Sequence, residues 1–316
     1  MTYVLRPDEV RERYGPLFCK GFFTLVDEEN GVAQVIEKCS AEGPAQWDVV
    51  NRRRTKGIAT DVRLRSGTIV MDVVIGEGEI SFGPAQQDIG GQGLKALKVE
   101  GDEVRTTWYG IAGASVGIGA CLPQCEDVIR TEYPDDFKIG GANRAHVDII
   151  TPKYVRVVIG IDDTDTKEKG ASWVTSLKMA TQCPIGKFLE HKIIQLNPKV
   201  PTKTTNCCST AASFAVREED IPALVEYAVD FVKKESLSDG SVVTVFKGLK
   251  IPEPLKEFGW SCKSVLYTQE DAVRAAEENG VQIIAVTGMK GVIGAVAAIG
   301  CFDLGEAAAG IPEDFQ

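Results

Sequence analysis

Residues 155–173 read VRVVIGIDDTDTKEKGASW, and this stretch decides the fold of the second half of the chain. Its first six residues are dominated by Val and Ile. A short apolar run of β-branched residues predicts a buried strand. Three carboxylates follow almost at once, at Asp162, Asp163 and Asp165. Because unpaired carboxylates are costly to bury, they must lie at the exposed end of the strand or hold a cation.

The residues after this acidic turn predict a helix from Ser172 to about Gln182. A strand, an acidic turn and a helix in this order can present hard oxygen ligands to Mg²⁺ and a phosphate ester. The alternative is an ordinary acidic turn near a helix N-terminus. Three Asp with neighbouring threonines favour the metal. An EF-hand is excluded, because the D-x-D-x-D-G order and the closing Glu are missing.

Strands and helices alternate from residue 155 to residue 300, which predicts an α/β domain. Further strands are predicted over 190–196, 207–216, 241–246 and 281–287, and further helices over 218–236 and 268–279. A polar loop with two prolines and two lysines fills 197–206. Near the end, Lys290 lies in a Gly-containing turn before a helix of small residues, which would direct backbone N–H groups at an anion. The alternative interpretation is that the small residues serve the tight packing of a buried helix, and both interpretations can be true.

The first half of the chain is predicted to be antiparallel sheet with few helices. Strand-like runs flank turn residues at 27–31 and at 65–67, and both patterns predict hairpins. Turn formers over 133–153 predict a domain boundary. The sequence therefore predicts a β-rich domain over 1–150 and an α/β domain over 151–316.

Two local features of the first half have open interpretations. Arg52, Arg53 and Arg54 with Lys56 form a basic cluster, which is usually solvated surface and could otherwise bind an anion or a partner. The glycine-rich stretch 109–120 lacks the dinucleotide-binding fingerprint. Close backbone packing is therefore favoured there over a phosphate-binding loop.

The bulk composition excludes some classes of protein. The net charge is −10, and the first 150 residues carry 17 basic and 23 acidic residues. This lacks the basic excess of a stand-alone nucleic-acid binder. No apolar run reaches the ~18 residues of a membrane span, and the N-terminus has no apolar signal core. Nine Cys, an odd number without a zinc spacing, suggest reduced thiols. We expect a cytoplasmic protein without a membrane partner.

Three motifs in the second half resemble a known family. They are IGIDDTDT at 159–166, QLNPKVPTKTTN at 195–206 and KGVIGAVAAIG at 290–300. Together, over roughly 155–303, they resemble the kinase-like domain of the archaeal agmatinylcytidine synthetase that modifies an isoleucine tRNA. The whole length also resembles the methanogenesis marker protein family numbered eleven, which is named by its occurrence in methanogenic archaea.

The resemblance to the synthetase implies ATP and Mg²⁺ as cofactors, with the nucleotide as a ligand. Carried over by position, the metal ligands are Asp162, Asp163 and Asp165. The residues at the nucleotide, its phosphates or the substrate are Asn197, Lys203, Thr204, Gly291 and Gly294, and our own interpretation adds Lys290. Asp163, Asp165 and Lys203 are then the candidate catalytic residues. Ser172 and Trp173 stand where the synthetase has two threonines, one of which becomes phosphorylated, so that step is not carried over.

The leading hypothesis is an ATP- and Mg²⁺-dependent phosphotransfer or activating enzyme. One alternative is a nucleotide-binding assembly factor without turnover. The other is a haloacid-dehalogenase-like phosphatase, although Lys167 stands where its motif needs Thr. The marker-family resemblance suggests maturation of the methanogenesis machinery, with methyl-coenzyme M reductase or its maturation factors as partners. Because the synthetase's tRNA-handling domains have no counterpart here, and because of the acidic first half, tRNA is expected to be an unlikely partner.

Overall fold

The computed structural model describes residues 2–83 and 86–312 of the chain. Residue contacts divide the chain into two compact units, Met1–Tyr154 and Val155–Gln316. The first unit is rich in antiparallel strands, and the second places helices on both faces of a sheet. This confirms the predicted combination of a β-rich first half with an α/β second half. The two predicted domains also include residues 1, 84–85 and 313–316, which lie outside the described residues.

The strands of the first unit form antiparallel ladders. They are β1 (Thr2–Leu5), β2 (Cys19–Asp27), β3 (Val32–Cys39), β4 (Ala59–Arg65), β5 (Thr68–Val74), β6 (Gly76–Glu77), β7 (Gly91–Glu100), β8 (Glu103–Ile111), β9 (Arg130–Pro134) and β10 (Arg144–Asp162), which ends in the second unit. The helices are α1 (Pro7–Tyr14), α2 (Glu42–Arg54) and α3 (Gln86–Ile89). The antiparallel orders are β4-β5-β3-β2 and β6-β7-β8-β10-β9-β1. A short parallel pairing of β2 with β10, at Lys153 and Tyr154, joins the two sets. Both predicted hairpins are confirmed, because β2 pairs with β3 and β4 with β5.

One member of the basic cluster, Arg52, is not at the solvated surface, which corrects our interpretation, whereas Arg53 and Lys56 are exposed. Arg52 lies at the buried side of α2 and is 2% exposed. Its guanidinium donates to Glu37 at 2.5 Å, lies 3.8 Å from Asp48 and stacks over the Trp108 ring. A guanidinium can be buried only when it is paired in this way. Arg52 therefore stabilises the core and does not offer an external anion site.

The glycine-rich stretch 109–120 packs closely against its surroundings, as the sequence favoured. Gly110 lies near the end of β8, and an added Cβ there would lie 2.9 Å from the Ser115 Cα. A Cβ on Gly119 would overlap the Phe137 ring. After β8 the chain forms a 3₁₀ turn and a π-helical turn, Ala112–Ala114 and Gly117–Cys121. These glycines allow backbone and side chains to approach each other.

The second unit is a five-stranded antiparallel sheet between two layers of helices. After β10 its strands are β11 (Lys187–Gln195), β12 (Cys208–Val216), β13 (Val242–Lys247) and β14 (Gln282–Ala285). Its helices are α4 (Ser172–Gln182), α5 (Ile221–Glu235), α6 (Glu253–Ser261), α7 (Gln269–Glu278) and α8 (Val292–Gly300). The strand order is β11-β12-β10-β13-β14. Each neighbouring pair is antiparallel, so consecutive strand ends alternate between the two edges of the sheet.

The central strand β10 is buried on both faces. Val157, Ile159 and Ile161 pack in one core with residues of α4 and α5. Val158, on the opposite face, packs in a second core with α6, α7 and α8. Strand side chains alternate between faces, so an uninterrupted apolar run is what a strand covered on both sides requires.

Several elements were not predicted from the sequence, among them helices α2 and α6 and the first part of β10. Pro44 and Pro254 lie near the starts of these two helices. Proline is tolerated in the first turn, where its missing N–H has no intrahelical partner. The stretch 133–153, predicted to be a turn-rich boundary, is strand from Arg144 onward. Alternate burial along 145–149 outweighs the turn formers.

No α-helix within residues 2–83 and 86–312 combines the length and the apolar character that crossing a membrane requires.

Gly160 should be the position in β10 that tolerates a side chain least. A Cβ there would overlap the Ala295 carbonyl of α8 and the Thr244 hydroxyl, which themselves hydrogen bond at 2.8 Å. We expect Gly160→Ala to lower the free energy of unfolding by about 1–3 kcal/mol, as overpacking of a core does.

The matched control is Gly310→Ala in the same unit, because a Cβ there makes only ordinary contacts. Urea unfolding of both variants would check the prediction. Equal stability of Gly160→Ala and the unmodified protein would show that α8 can move away from the sheet.

Candidate functional site

The acidic turn lies where several segments of the second unit converge. Asp162 ends β10 and pairs with Val242, near the start of β13. Its neighbour Ile161 pairs with Thr210, near the start of β12. Because both neighbouring strands are antiparallel to β10, their first residues lie beside the carboxylates. The start of α8 lies at the same end of the sheet, because Gly291 is close to the Asp162 carbonyl.

Asp163 has a left-handed backbone conformation, with φ +57°. Asp is one of the few residues besides Gly that adopt this region without a large penalty. Two serines hold it in place. The Ser238 hydroxyl donates to Asp163 Oδ2 at 2.9 Å, and the Ser241 hydroxyl donates to the Asp163 carbonyl at 2.7 Å. The Asp163 N–H donates to Asp162 Oδ1 at 2.8 Å.

Residues 236–241, which we call the serine loop, connect the acidic turn to the start of α8. The Gly291 N–H donates to the Gly240 carbonyl at 3.0 Å. A Cβ on Gly240 would overlap Asp163 Oδ2, and a Cβ on Gly291 would lie 2.7 Å from the Asp162 carbonyl oxygen. Only glycine allows the three segments to approach so closely.

Asp162 faces the first turn of α8. A Cβ on Gly294 would overlap Asp162 Oδ2, so the helix backbone leaves room for the carboxylate. Burial, the largest cause, raises the pKa of Asp162 to about 8. The Asp163 N–H lowers it, and the charges of Asp163 and Asp165 raise it further. The free site therefore favours a neutral carboxyl, and a bound cation would favour the ionised form.

Asp165 connects the acidic turn to the polar loop 197–206. The Thr204 hydroxyl donates to Asp165 Oδ1 at 3.3 Å. Burial raises the pKa of Asp165, and the hydrogen bond from Thr204 opposes this. On the other side of the turn, the Thr164 N–H donates to the Ser172 hydroxyl at 3.0 Å. Ser172 is 5% exposed and fastens the turn to α4.

The polar loop is held by contacts of its own. Asn197 is buried; its amide donates to the Ser264 carbonyl at 3.0 Å and its Oδ1 accepts the Lys199 N–H at 2.9 Å. The Lys203 ammonium donates to the Pro198 carbonyl at 2.5 Å. Asn197 thus shapes the loop, and Lys203 closes it.

Lys263 anchors the chain just before this loop, although the sequence pattern did not single it out. It is fully buried, and its ammonium donates to the carbonyls of Gln195, Ala308 and Gly310 at 2.7 to 2.9 Å. Burial lowers its pKa. All three N–H groups are satisfied, so Lys263 has a structural role.

Lys290 and Gly291 lie together at the start of α8. The Lys290 ammonium pairs with Asp239 of the serine loop at 2.5 Å, and both side chains are largely exposed. Exposed pairs of this kind contribute little to stability. Lys290 can therefore exchange Asp239 for an incoming anion at small cost.

The carboxylates do not form a ready metal cage. In the part of the chain that the structure describes, no three His, Cys, Asp or Glu side chains are grouped to hold an ion. Asp162 faces Gly294, Asp163 faces Ser238 and Asp165 faces Thr204. Mg²⁺ is usually held by one or two carboxylates with phosphate oxygens and water. The carboxylate oxygens of the acidic turn are donors of the kind that such a shared site uses.

The adjacent thiols of Cys207 and Cys208 do not provide a nucleophile or a metal ligand. Burial raises the pKa of Cys207 and of Cys208 to about 11, and the charge of Asp162 contributes. At neutral pH both remain thiols, which are poor nucleophiles and poor metal ligands.

Comparison with known proteins places these motifs in a family. The uncharacterized protein MJ0921 of Methanocaldococcus jannaschii is 31% identical over 301 residues, which are 94% of this chain and 98% of the relative. The chain belongs to the MJ0921 family. Because the two proteins align over nearly their whole lengths, both units are common to this family.

The second unit also matches the family model described as the TiaS TCKD domain, over residues 158–288. The isoleucine-tRNA 2-agmatinylcytidine synthetase TiaS of Thermococcus sibiricus is 37% identical over 155 residues, 46% of this chain and 35% of the synthetase. The resemblance to the synthetase is thereby confirmed for this segment. The chain matches about a third of the synthetase's length. Among solved structures, the complex of TiaS with its tRNA and ATP is similar at 22% identity with a TM-score of 0.42, over 46% of this chain and 36% of that one.

The expectation that tRNA is an unlikely partner is wrong. The domain that matches 158–288 is a domain of TiaS, an enzyme named for its action on an isoleucine tRNA. Net charge was a poor criterion, because it sums the whole surface and says little about a local site. The basic cluster was misjudged as well, since Arg52 is buried.

The serine loop is the part of the site that the sequence pattern did not reveal. Its residues, SLSDGS at 236–241, read as an ordinary turn after a helix. Their hydroxyls matter because they reach Asp163, 75 and 78 residues away in sequence. Single-sequence periodicity carries no signal for such a contact.

Asp162 should make stability depend on pH in a predictable direction. Its pKa is about 8 in the folded protein, against about 3.9 for an unperturbed Asp. Its contribution to stability is complete below pH ~4 and is lost as pH rises towards 8, where the buried carboxyl ionises. Asp162→Asn removes this loss. The difference in melting temperature, Asp162→Asn minus the unmodified protein, should therefore increase between pH 5 and pH 8.

The measurement is thermal unfolding with EDTA present, which removes any bound cation. We expect the gain to exceed the ~2–4 °C that corresponds to 1 kcal/mol in a domain of this size. Glu226→Gln, an exposed change on α5, is the control and should show no such trend. A melting-temperature difference for Asp162→Asn that stays constant or shrinks with rising pH would contradict the assignment.

Proposed function

We propose that the second unit is an ATP- and Mg²⁺-dependent activating transferase domain. The observation that carries the proposal is the convergence of the acidic turn, the serine loop and the first turn of α8. Carboxylates, a glycine-lined helix N-terminus and two lysines then lie at one end of the sheet. The match to the TiaS TCKD domain over 158–288 supports the same function.

The phosphates would lie at the start of α8. The unpaired N–H groups of a helix N-terminus and its dipole attract anions. Gly291 and Gly294 would let the phosphates approach the backbone. Lys290 would exchange Asp239 for phosphate, and Lys203 would exchange the Pro198 carbonyl for it. Thr204 and the loop shaped by Asn197 would border the nucleotide.

The metal would be shared between protein and nucleotide. Asp162, Asp163 and Asp165 are the proposed ligands, and Mg²⁺ would neutralise charge on the phosphates. Asp163 already has its backbone and one carboxylate oxygen fixed by serines. Asp163 and Asp165, with Lys203, would be the catalytic residues, because they would contact the reacting phosphates through the metal or directly. Preorganised charges of this kind stabilise a transition state without reorganisation.

The acceptor class we propose is RNA. The relatives that share this domain include enzymes named for their action on an isoleucine tRNA. Ser172 is buried and bonded to Thr164, so it does not present a hydroxyl for phosphorylation in place of the threonines of the synthetase. Transfer would then pass directly from the nucleotide to the acceptor. A role in the methanogenesis machinery is also a proposal; it is suggested by the resemblance to the methanogenesis marker family, and the full-length relative of Methanocaldococcus jannaschii is uncharacterized.

Product analysis tests the proposed reaction. Incubation with ATP, Mg²⁺ and total archaeal tRNA should release ADP or AMP, and omission of either Mg²⁺ or RNA should reduce the rate. Asp163→Asn and Asp165→Asn should each weaken Mg²⁺-dependent ATP binding by at least the ~10–100-fold typical of changes around metal ligands. Asp230→Asn, on the exposed face of α5, is the control.

Each alternative has its own outcome in this experiment. ATP binding without any product would favour an assembly factor without turnover. Phosphate release from phosphomonoesters without ATP would favour the haloacid-dehalogenase-like phosphatase. Unchanged ATP affinity in both Asp variants, measured by calorimetry with Mg²⁺, would refute the site.

Lys203 should matter more than its neighbour Lys199. Lys203 is half-buried within the polar loop and closes it, whereas Lys199 is exposed. Lys203→Ala should therefore lower the rate of ATP turnover by at least ~10-fold, and Lys199→Ala should change it little, because a fixed charge at the phosphates acts mainly in the transition state. Steady-state kinetics of both variants would decide. Equal losses would indicate that Lys203 acts only through the shape of the loop.

A further inference from the structure

Ser209 lies directly beside Asp162 in the sheet. Ile161 pairs with Thr210 in the antiparallel register of β10 and β12, and the next pair in that register is Asp162 with Ser209. On its other side Ser209 pairs with Ile194 of β11. Ile194 belongs to the core under α8, so this row of side chains faces α8.

The first turn of α8 covers both side chains. The Cβ that Gly294 lacks would overlap Asp162 Oδ2 and would lie 3.2 Å from the Ser209 Cβ. Asp162 and Ser209 therefore occupy the same small space beneath a helix N-terminus. On this row Ile194 is apolar, and Asp162 is the neighbour that can accept a hydrogen bond.

The Ser209 hydroxyl has no partner in the described structure. Ser209 is fully buried, and its Oγ makes no hydrogen bond to any described group. Burying a hydroxyl without a partner costs free energy. A buried group that lacks a partner therefore calls for an explanation such as a ligand or an ion that completes it.

We propose that Ser209 is a positioning residue for Asp162. When the metal–nucleotide complex binds, the Ser209 hydroxyl donates to one oxygen of the Asp162 carboxylate and leaves the other for the metal. Outer hydrogen bonds of this kind orient a metal-binding carboxylate and are part of the site. The inference rests on the proposed function, and it assigns a role that the sequence motifs do not carry.

The test separates metal-dependent from metal-independent nucleotide binding. ATP affinity of the full chain is measured by calorimetry with Mg²⁺ and again with EDTA. Ser209→Ala should lose ~10-fold or more of the affinity with Mg²⁺ and keep the affinity measured with EDTA. Ser209→Thr, which retains the hydroxyl, should recover most of the loss. A purely structural role would change both affinities together.

Ser176 supplies the matched control. Its hydroxyl is also fully buried and without a partner among the described groups, but it lies on α4, in the layer on the other face of the sheet. Ser176→Ala should leave both affinities unchanged. If Ser209→Ala does not fold, Ser209→Cys, which has a weaker donor, should show the same selective loss. An equal loss in Ser176→Ala and Ser209→Ala would overturn the inference.

A double-mutant cycle with Asp162→Asn separates the role of Ser209 from the proposed metal site itself. If Asp162→Asn weakens Mg²⁺-dependent binding and Ser209→Ala adds nothing to it, the two residues act as one unit, as we propose. If Asp162→Asn weakens binding and Ser209→Ala alone does not, only the inference about Ser209 fails. If Asp162→Asn leaves binding unchanged, the proposed metal site fails, and the role of Ser209 with it.

Discussion

The hydrogen bonds that hold Asp163 in a left-handed backbone conformation are the constraint on which the site depends. Ser238 and Ser241 fix its side chain and its carbonyl, and the same loop receives the Gly291 N–H through Gly240. The turn after β10 is thereby tied to the first turn of α8. Apart from glycine, a residue without a short polar side chain would not stay in this conformation at low cost.

The antiparallel sheet explains why these segments meet. The end of β10 lies between the starts of β12 and β13, so the acidic turn is flanked by the polar loop on one side and the serine loop on the other. Gly160, Gly291 and Gly294 then allow α8 to lie directly on the strand and its carboxylates. Close packing is thus what these glycines show in the structure, and it is compatible with the anion binding that we propose at the same helix start. The buried Lys263 holds the chain before the polar loop without taking part in the chemistry.

Local sequence patterns predicted the fold class, and they placed the acidic turn at the end of a strand. The strand before Asp162, the helix from Ser172 to Gln182 and the helix predicted over 268–279 rest on local signals, and the structure confirms these elements. Helices α2 and α6, which have a proline in the first turn, were not predicted. The roles of Ser209, Ser238 and Ser241 depend on contacts with residues far away in sequence. Arg52 was misplaced because a basic run does not show that Glu37 and Asp48 will bury one of its members.

Hydrogen–deuterium exchange of the full chain, measured with and without ATP and Mg²⁺, tests whether the second unit binds the nucleotide at the acidic turn. If the acidic turn, the polar loop, the serine loop and the start of α8 form one nucleotide site, ATP with Mg²⁺ should slow amide exchange in 162–166, 197–206, 236–241 and 288–294 together. EDTA should remove most of this protection, while the rest of the second unit changes little. Protection confined to the first unit, or to only one of these four segments, would contradict the account.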